Sequence, residues 1–237
     1  MNFKKIITFI PVFLFLMTAF GQAKKPNTLT KKEKKQGWIL LFDGITSNGW
    51  TKSNGQAFPE KGWEIKDGIL KLAENAKAGD IVTVDEYSDF DFSLDFRLSP
   101  TCNSGIKYFY YNYPKGGSLG MEFQLLDDKL SDDNKKANHL CGSLYDIIPS
   151  DETVKKMNKI GEWNNARIVS KGKHVEHWLN GIKVVEYDRG SEAYLAGVAL
   201  SKYKTEPVFG TIEKGRILLQ DHNHEISFRN IKIRKLQ

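Results

Sequence analysis

An all-β sandwich is the fold this sequence predicts, on three observations. In DFDFSLDFRL (residues 89–98), Phe90, Phe92, Leu94, Phe96 and Leu98 alternate with Asp91, Ser93, Asp95 and Arg97. Such a period of two marks a strand with one face in a core and the other facing polar surroundings. Asp67-Gly68 in WEIKDGILKL and Asn180-Gly181 in VEHWLNGIKVVEY are the turn pairs of tight hairpins. Helical periodicity is nearly absent, while short strand patterns recur between turn signals; this argues against a βαβ arrangement and for a single sandwich or jelly roll.

The chain begins with a segment that the fold does not need. Lys4 and Lys5 precede an apolar run from Ile6 to Phe20, interrupted by Pro11, and Ala19-Phe20-Gly21 supplies small residues for cleavage before Gln22. The run is short for a membrane span. Residues 1–21 therefore read as a signal peptide. With no cysteine at the cleavage point, the expected location is periplasmic or secreted, with no membrane span after cleavage. Residues 22–36 read as a Lys-rich solvated linker with at most one helical turn. Residues 37–237 form one domain, long enough for a real core.

The formal charge of +6 describes this leader more than the domain. Setting aside Lys4, Lys5, the six lysines of residues 24–35 and Glu33 leaves 27 basic and 28 acidic residues over 36–237. A nucleic-acid binder keeps its positive charge on the folded face, so no nucleic-acid partner is expected.

Strands are expected at 38–42, within the 63–72 hairpin, and at 81–83, 90–98, 105–111 and 121–126. More follow at 166–170, within the 175–187 hairpin, and at 217–220 and 226–233. Residues 151–160 (DETVKKMNKI) suit a short surface helix, and 127–138 a long exposed loop. Spacing alone leaves open whether Cys102 and Cys141 pair.

Two stretches carry candidate chemistry. In GMEFQLLDD, Glu122 and Gln124 share one strand face, opposite Met121, Phe123 and Leu125, and Asp127 follows at the strand end. The spacing is similar to the Glu-x-Asp-x-x-Glu strand of laminarinase-type glycosidases, with Gln124 for the middle acid and Asp127 for the last. One reading is thus a retaining β-glycosidase using Glu122 and Asp127, whose carboxyls must lie about 5–5.5 Å apart. A solvated edge-strand face has the same pattern.

In LLQDHNHEIS, Gln220 and His222 share a face, and a histidine can give or take a proton near neutral pH. A hydrogen-bonded histidine at a hairpin end would look alike, and His222 with His224 lacks a matched third ligand for a metal. NHLCGSLYDIIP adds His139, Tyr145 and Asp146 in a loop returning to the sheet, where sites are commonly built. Cys141 with His139 forms a conceivable dyad without an oxyanion element. Trp163 and Asn164 in GEWNNARI suit a sugar face and its hydroxyls, or equally an aromatic cap at a strand entry.

Taken in order, GWILLFDGITSNGW, GWEIKDGIL, DFDFSLDFRL, NSGIKY, MEFQLLDD, GSLYDIIP, GEWNNARIV, HVEHWLNGIKVVEY and GRILLQDHNHEISFRNIKIR resemble the 3-keto-disaccharide hydrolase domain family. The resemblance spans about residues 37–235. It implies a concanavalin-like jelly roll of two curved antiparallel sheets with sugar on the concave side, acting on glycosides oxidised at C3 by a separate sugar 3-dehydrogenase. Carried over by position, it implies polar site residues at Arg97, Asn103, Glu122, Gln124, His139, Tyr145, Gln220 and His222. Two departures flank these. Leu140-Cys141-Gly142 stands where the family usually has Arg-Thr-Gly, and Asn223-His224 where it tends to place glycine.

A C3 ketone acidifies the C2 hydrogen, so a base, a group for the enolate oxygen and an acid for the leaving oxygen are required. On this reading His222 or His139 is the base, Glu122 its partner or the acid, and Arg97 with Gln220 lies near the oxyanion. Asp127, Tyr145, Trp163, Asn103 and Gln124 complete the expected substrate contacts. No cofactor is expected, although a divalent metal would fill the Arg97/Gln220 role as a Lewis acid. A non-catalytic carbohydrate-binding sandwich is the alternative of a different class, because fold alone does not fix function.

Overall fold

The computed structural model describes residues 25–112 and 118–236. The expected signal peptide, with its cleavage point before Gln22, falls outside the described residues. A short helix, α1 (Lys31–Lys35), leads into β1 (Ile39–Leu40), β2 (Trp50–Lys52), β3 (Trp63–Lys66), β4 (Ile69–Leu72) and β5 (Ile81–Thr83). Three long strands follow: β6 (Phe90–Leu98), β7 (Asn103–Asn112) and β8 (Ser118–Leu126). Beyond a 3-10 turn at Ala137–His139 come β9 (Asn164–Lys171), β10 (His174–Leu179) and β11 (Ile182–Asp188). The chain closes with α2 (Glu192–Leu200), β12 (Arg216–Leu219) and β13 (Ile226–Lys235).

All pairings between these strands are antiparallel, and they build two sheets. The larger has the order β11-β10-β9-β6-β13-β4-β3, with β1 added alongside β13; the smaller has β2-β5-β12-β7-β8. The protein is a jelly-roll sandwich. Alternation in β6 does what its pattern demands: Phe90, Phe92, Leu94 and Phe96 are fully buried between the sheets. Ile106 of β7, Phe123 of β8 and Leu219 of β12 meet them from the smaller sheet in one continuous core. Both Asx-Gly hairpins close with positive φ at each turn residue, Asp67 and Gly68 at 53° and 74°, Asn180 and Gly181 at 51° and 79°. That backbone matches the twist of paired strands, and asparagine, aspartate and glycine adopt it at least cost.

Several local expectations need correction. Residues 151–160 form turns in place of a helix. Asp151 Oδ1 takes the Thr153 amide at 2.9 Å, and Lys155 is drawn away to Asp128 at 2.8 Å. Those side-chain bonds compete with a helical backbone. Conversely, α2 has no polar stripe (EAYLAGVAL), so no amphipathic period announced it. The expected linker is docked from Asn27 onward: the Asn27 and Asn230 amides donate to each other's side-chain oxygens at 2.6 and 2.7 Å. Thr30 and Glu33 then form a capping box that starts α1. Cys102 and Cys141 are free, buried thiols, which burial pushes up to about 12. Among the described residues no helix is long and apolar enough to cross a membrane.

Truncating Phe92 to alanine should cost about 3–5 kcal/mol of stability, because the side chain leaves a cavity that the paired strands cannot close. Urea denaturation of Phe92→Ala against the parent measures this.

Candidate active site

The outer face of the smaller sheet carries two rows of side chains in register. Val82, Leu218, Lys107 and Glu122 form one row across β5, β12, β7 and β8. In the next, Gly105 pairs with Gln124, and the Gln220 amide donates to the Gly105 carbonyl at 3.0 Å. Asp80 continues this second row beside Gln220, following the Ile81–Leu219 register. Glycine is required at position 105 by contact. A Cβ there would stand 2.2 Å from Glu122 Oε1, so the Glu122 carboxyl lies directly over the Gly105 backbone.

Glu122 is only 4% exposed. Burial raises its pKa, while Lys107 and Lys202 pull it down, Asp80 pushes it up and His222 lowers it. Lys107 Nζ is 3.8 Å from Glu122 Oε2. Asp80 is likewise raised by burial, against the Asp221 amide and Lys107. Desolvation lowers Lys202, with Glu122 opposing and Lys107 reinforcing. The cluster thus holds a buried carboxyl, two amines and an imidazole within mutual electrostatic reach. Two of its amides are incompletely satisfied: Gln124 Oε1 and Gln220 Oε1 are buried without a donor. Each such orphan costs about 1–3 kcal/mol.

The free edge of β8 is extended by residues 142–145. Gly142 donates to the Gln124 carbonyl at 2.9 Å, and Tyr145 to the Glu122 carbonyl at 3.0 Å. This edge pairing sets Tyr145 beside Glu122. The Tyr145 hydroxyl donates to Asp133 at 2.9 Å, and Lys202 Nζ lies 4.3 Å from the ring centroid. Burial and the Asp133 carboxylate push the phenol upward. A cleft of about 550 Å³ opens here, with Asn103, Asp133, Tyr145, His222 and His224 in its wall.

The 142–145 extension is tied to the core by His177 of β10. His177 Nδ1 donates to the Gly142 carbonyl at 2.9 Å, and Nε2 faces the Tyr108 hydroxyl at 2.8 Å. The carbonyl can only accept, which assigns the Nδ1–H tautomer. Burial drives His177 down to about 4.

The structure brings Glu122, Gln124, Gln220, His222, Asn103 and Tyr145 to this end of the smaller sheet. Asn103 Oδ1 takes the Gln124 amide at 3.1 Å. Four expected site residues go elsewhere. Arg97 lies on the outer face of the larger sheet, its guanidinium 4.8 Å from the Trp163 ring centroid, with Arg229 at 4.1 Å. Trp163 is therefore covered by cations and separated from Glu122 by the whole sandwich. Asp127 accepts the amides of Thr101, Lys129 and Leu130 at 3.0, 3.0 and 3.2 Å, so it is committed to a turn and unsuited to attack a sugar. His139 has Nδ1 2.7 Å from Asp133 and Nε2 3.0 Å from Asp146, leaving no ring nitrogen for a substrate proton. For Asp146, burial raises the pKa, but the His139 bond, the Lys202 amide and Lys136 together lower it below the usual range.

Lys107, Lys202 and Asp80 were not anticipated. Lys107 had a signal, a lone charge inside the apolar run of GIKYFYY. Lys202 and Asp80 had none, because both lie in connections that only the folded chain brings to Glu122.

A jelly roll with an acid–base cluster on one sheet face is suited to proton transfer at a bound ligand. The chain belongs to the 3-keto-alpha-glucoside-1,2-lyase-like domain family, whose model matches residues 37–234. It is 28% identical over 249 aligned residues to a 3-keto-disaccharide hydrolase of Bacteroides thetaiotaomicron, covering 91% of this chain and 84% of that one. Two crystal structures of candidate glycosyl hydrolases from Parabacteroides distasonis are similar as well. One has TM-score 0.81 and 32% identity over 90% of this chain and 100% of its own; the other has 0.63 and 29% over 84% and 99%.

His177 makes the fold sensitive to acid. Its pKa of about 4 lies below the ordinary histidine value of 6.5, so the unfolded chain binds more protons between those values and stability rises with pH across that window. The stabilisation is complete above the unfolded value and is lost as pH falls toward 4, by about 3 kcal/mol in all. Urea midpoints should fall more steeply with acid in the parent than in His177→Gln, which cannot charge.

Proposed function

We propose that this protein cleaves the glycosidic bond of glycosides oxidised to a ketone at C3, by elimination and rehydration. The observation that carries this reading is the buried Glu122 carboxyl flanked by Lys107 and Lys202, with His222 in the same cluster. Removal of the C2 proton places negative charge on the C3 oxygen, and ammonium groups aimed at that position stabilise it. Lys107 and Lys202 take the role expected of Arg97. The enolate then reforms its ketone, C1 and C2 become doubly bonded, and the C1 substituent leaves with a proton. Water adds across the double bond, hydroxyl to C1 and hydrogen to C2. Glu122 and His222 are the groups placed to move these protons.

The family match and the curated relative's name support this choice of substrate. A sugar 3-dehydrogenase must supply it, and the leader segment is consistent with work outside the cytoplasm.

A matched pair of glucosides, one oxidised at C3 and one plain, tests the reading with purified protein. Turnover of the oxidised member alone is expected; turnover of only the plain one would overturn it. His222→Ala should lower kcat on the oxidised member by about 10²–10⁴, the usual worth of a positioned acid or base. Its melting temperature should stay near the parent's, since His222 is exposed. Gly105→Ala should cost about 10²-fold in turnover, because the added methyl displaces the Glu122 carboxyl.

A further inference from the structure

Two buried amide oxygens have no donor, and both belong to the row on which Glu122 rests. Gln220 and Gln124 stand on either side of Gly105 across the sheet. The Glu122 carboxyl lies over that glycine, since a Cβ would meet its Oε1 at 2.2 Å. The carboxyl therefore sits between the two amides. Gln124 turns its nitrogen to Asn103 Oδ1 at 3.1 Å, so its oxygen is on the other side of the head group. Neither Gln124 Oε1 nor Gln220 Oε1 has a donor.

Glu122 itself makes no side-chain hydrogen bond among the described residues, and Lys107 at 3.8 Å is beyond the range of a charge-assisted one. An ionised carboxylate offers only lone pairs, so it would place a third acceptor between two others. A protonated carboxyl supplies one O–H donor, which the two facing oxygens share. We infer that Glu122 rests as a neutral acid whose proton is held by the amide oxygens of Gln124 and Gln220, and that it protonates the departing glycosidic oxygen. This assignment rests on the C3-ketone reading above.

The charged and titratable groups facing Glu122 are Lys107, Lys202, Asp80, His222, Tyr203 and, along the β8 edge, Tyr145. Burial of the carboxyl works in the same direction as the amides. The protons then balance over one cycle. His222 takes the C2 hydrogen and Glu122 gives its own to the oxygen leaving C1. In the return half, Glu122 takes a proton from the water that attacks C1, and His222 restores hydrogen to C2. Gln124 and Gln220 touch no reacting atom in this scheme; they are positioning residues.

Leaving-group dependence tests the acid role, with two C3-oxidised glucosides, one releasing an alkyl alcohol and one a nitrophenol that needs no proton to depart. Glu122→Gln should slow the alkyl substrate by about 10²–10⁴ and the nitrophenyl substrate by less than about tenfold. Equal loss on both would make Glu122 the base and overturn the assignment, while the parent's turnover of oxidised sugar would leave the functional reading intact. If the parent turns over neither oxidised substrate, that reading itself fails.

Infrared spectroscopy supplies a readout that needs no turnover. At neutral pH the parent should show a protonated carboxyl C=O band that Glu122→Gln lacks. The band should shift in frequency and vanish at lower pH in Gln124→Met and Gln220→Met, which keep the bulk and remove the acceptor. Absence of the band in the parent, or a band unchanged in both methionine variants, would overturn the proposal.

Discussion

Glu122 lies against the bare backbone of Gly105, where a Cβ would come within 2.2 Å of its carboxyl oxygen. A carboxyl cannot otherwise be laid flat on a sheet whose rows stand only a strand spacing apart. From that contact the rest of the face follows. The carboxyl is buried, Lys107 is held at 3.8 Å, and the two glutamines are left as acceptors around it. The energy for this arrangement comes from the opposite side of the same strands, where Ile106, Phe123 and Leu219 are fixed in the core.

The second constraint is the way β8 ends the smaller sheet. An exposed edge strand invites unwanted pairing, and here residues 142–145 cover it. Because the Gly142 carbonyl is held by a fully buried histidine, this cover is anchored to the core and not merely laid on the surface. The loop thereby acquires a fixed position for Tyr145. His139, Asp133 and Asp146 brace that tyrosine and its neighbour Lys202 from behind. A loop stabilised in this way can carry chemistry with the precision of a strand.

The larger sheet shows how similar residue types serve a different end. Asp91 is buried on its outer face, clamped by Arg167 at 2.7 and 2.9 Å and by Arg234 at 2.7 Å. Arg97 and Arg229 enclose Trp163, and Arg167 lies over the Trp178 ring at 5.4 Å. Acid, arginine and indole together look like a sugar site in sequence. In the fold they neutralise and cover one another, which stabilises the outer surface and sets two guanidinium groups against the Trp163 ring.

Period-two alternation and turn chemistry act between near neighbours, so the strands, both Asx-Gly hairpins and the sandwich class were legible in the sequence. So was the shared face of Glu122 and Gln124, because i and i+2 share a face in any strand, whereas Gln220 and His222 lie beyond the end of β12 at Leu219. Local pattern also misled where the competing interaction was distant: Lys155 reaching Asp128 removed a helix, and α2 formed without an amphipathic stripe. Which sheet a polar face belongs to is set by strand order, and strand order depends on contacts across the whole chain. Alternation therefore put Arg97 and Glu122 on equal terms, and only the tertiary structure separated them by a core. The same physics brought Lys107, Lys202 and Asp80 to one carboxyl from three remote segments, and committed Asp127 and His139 to neighbours that their own stretches do not reveal.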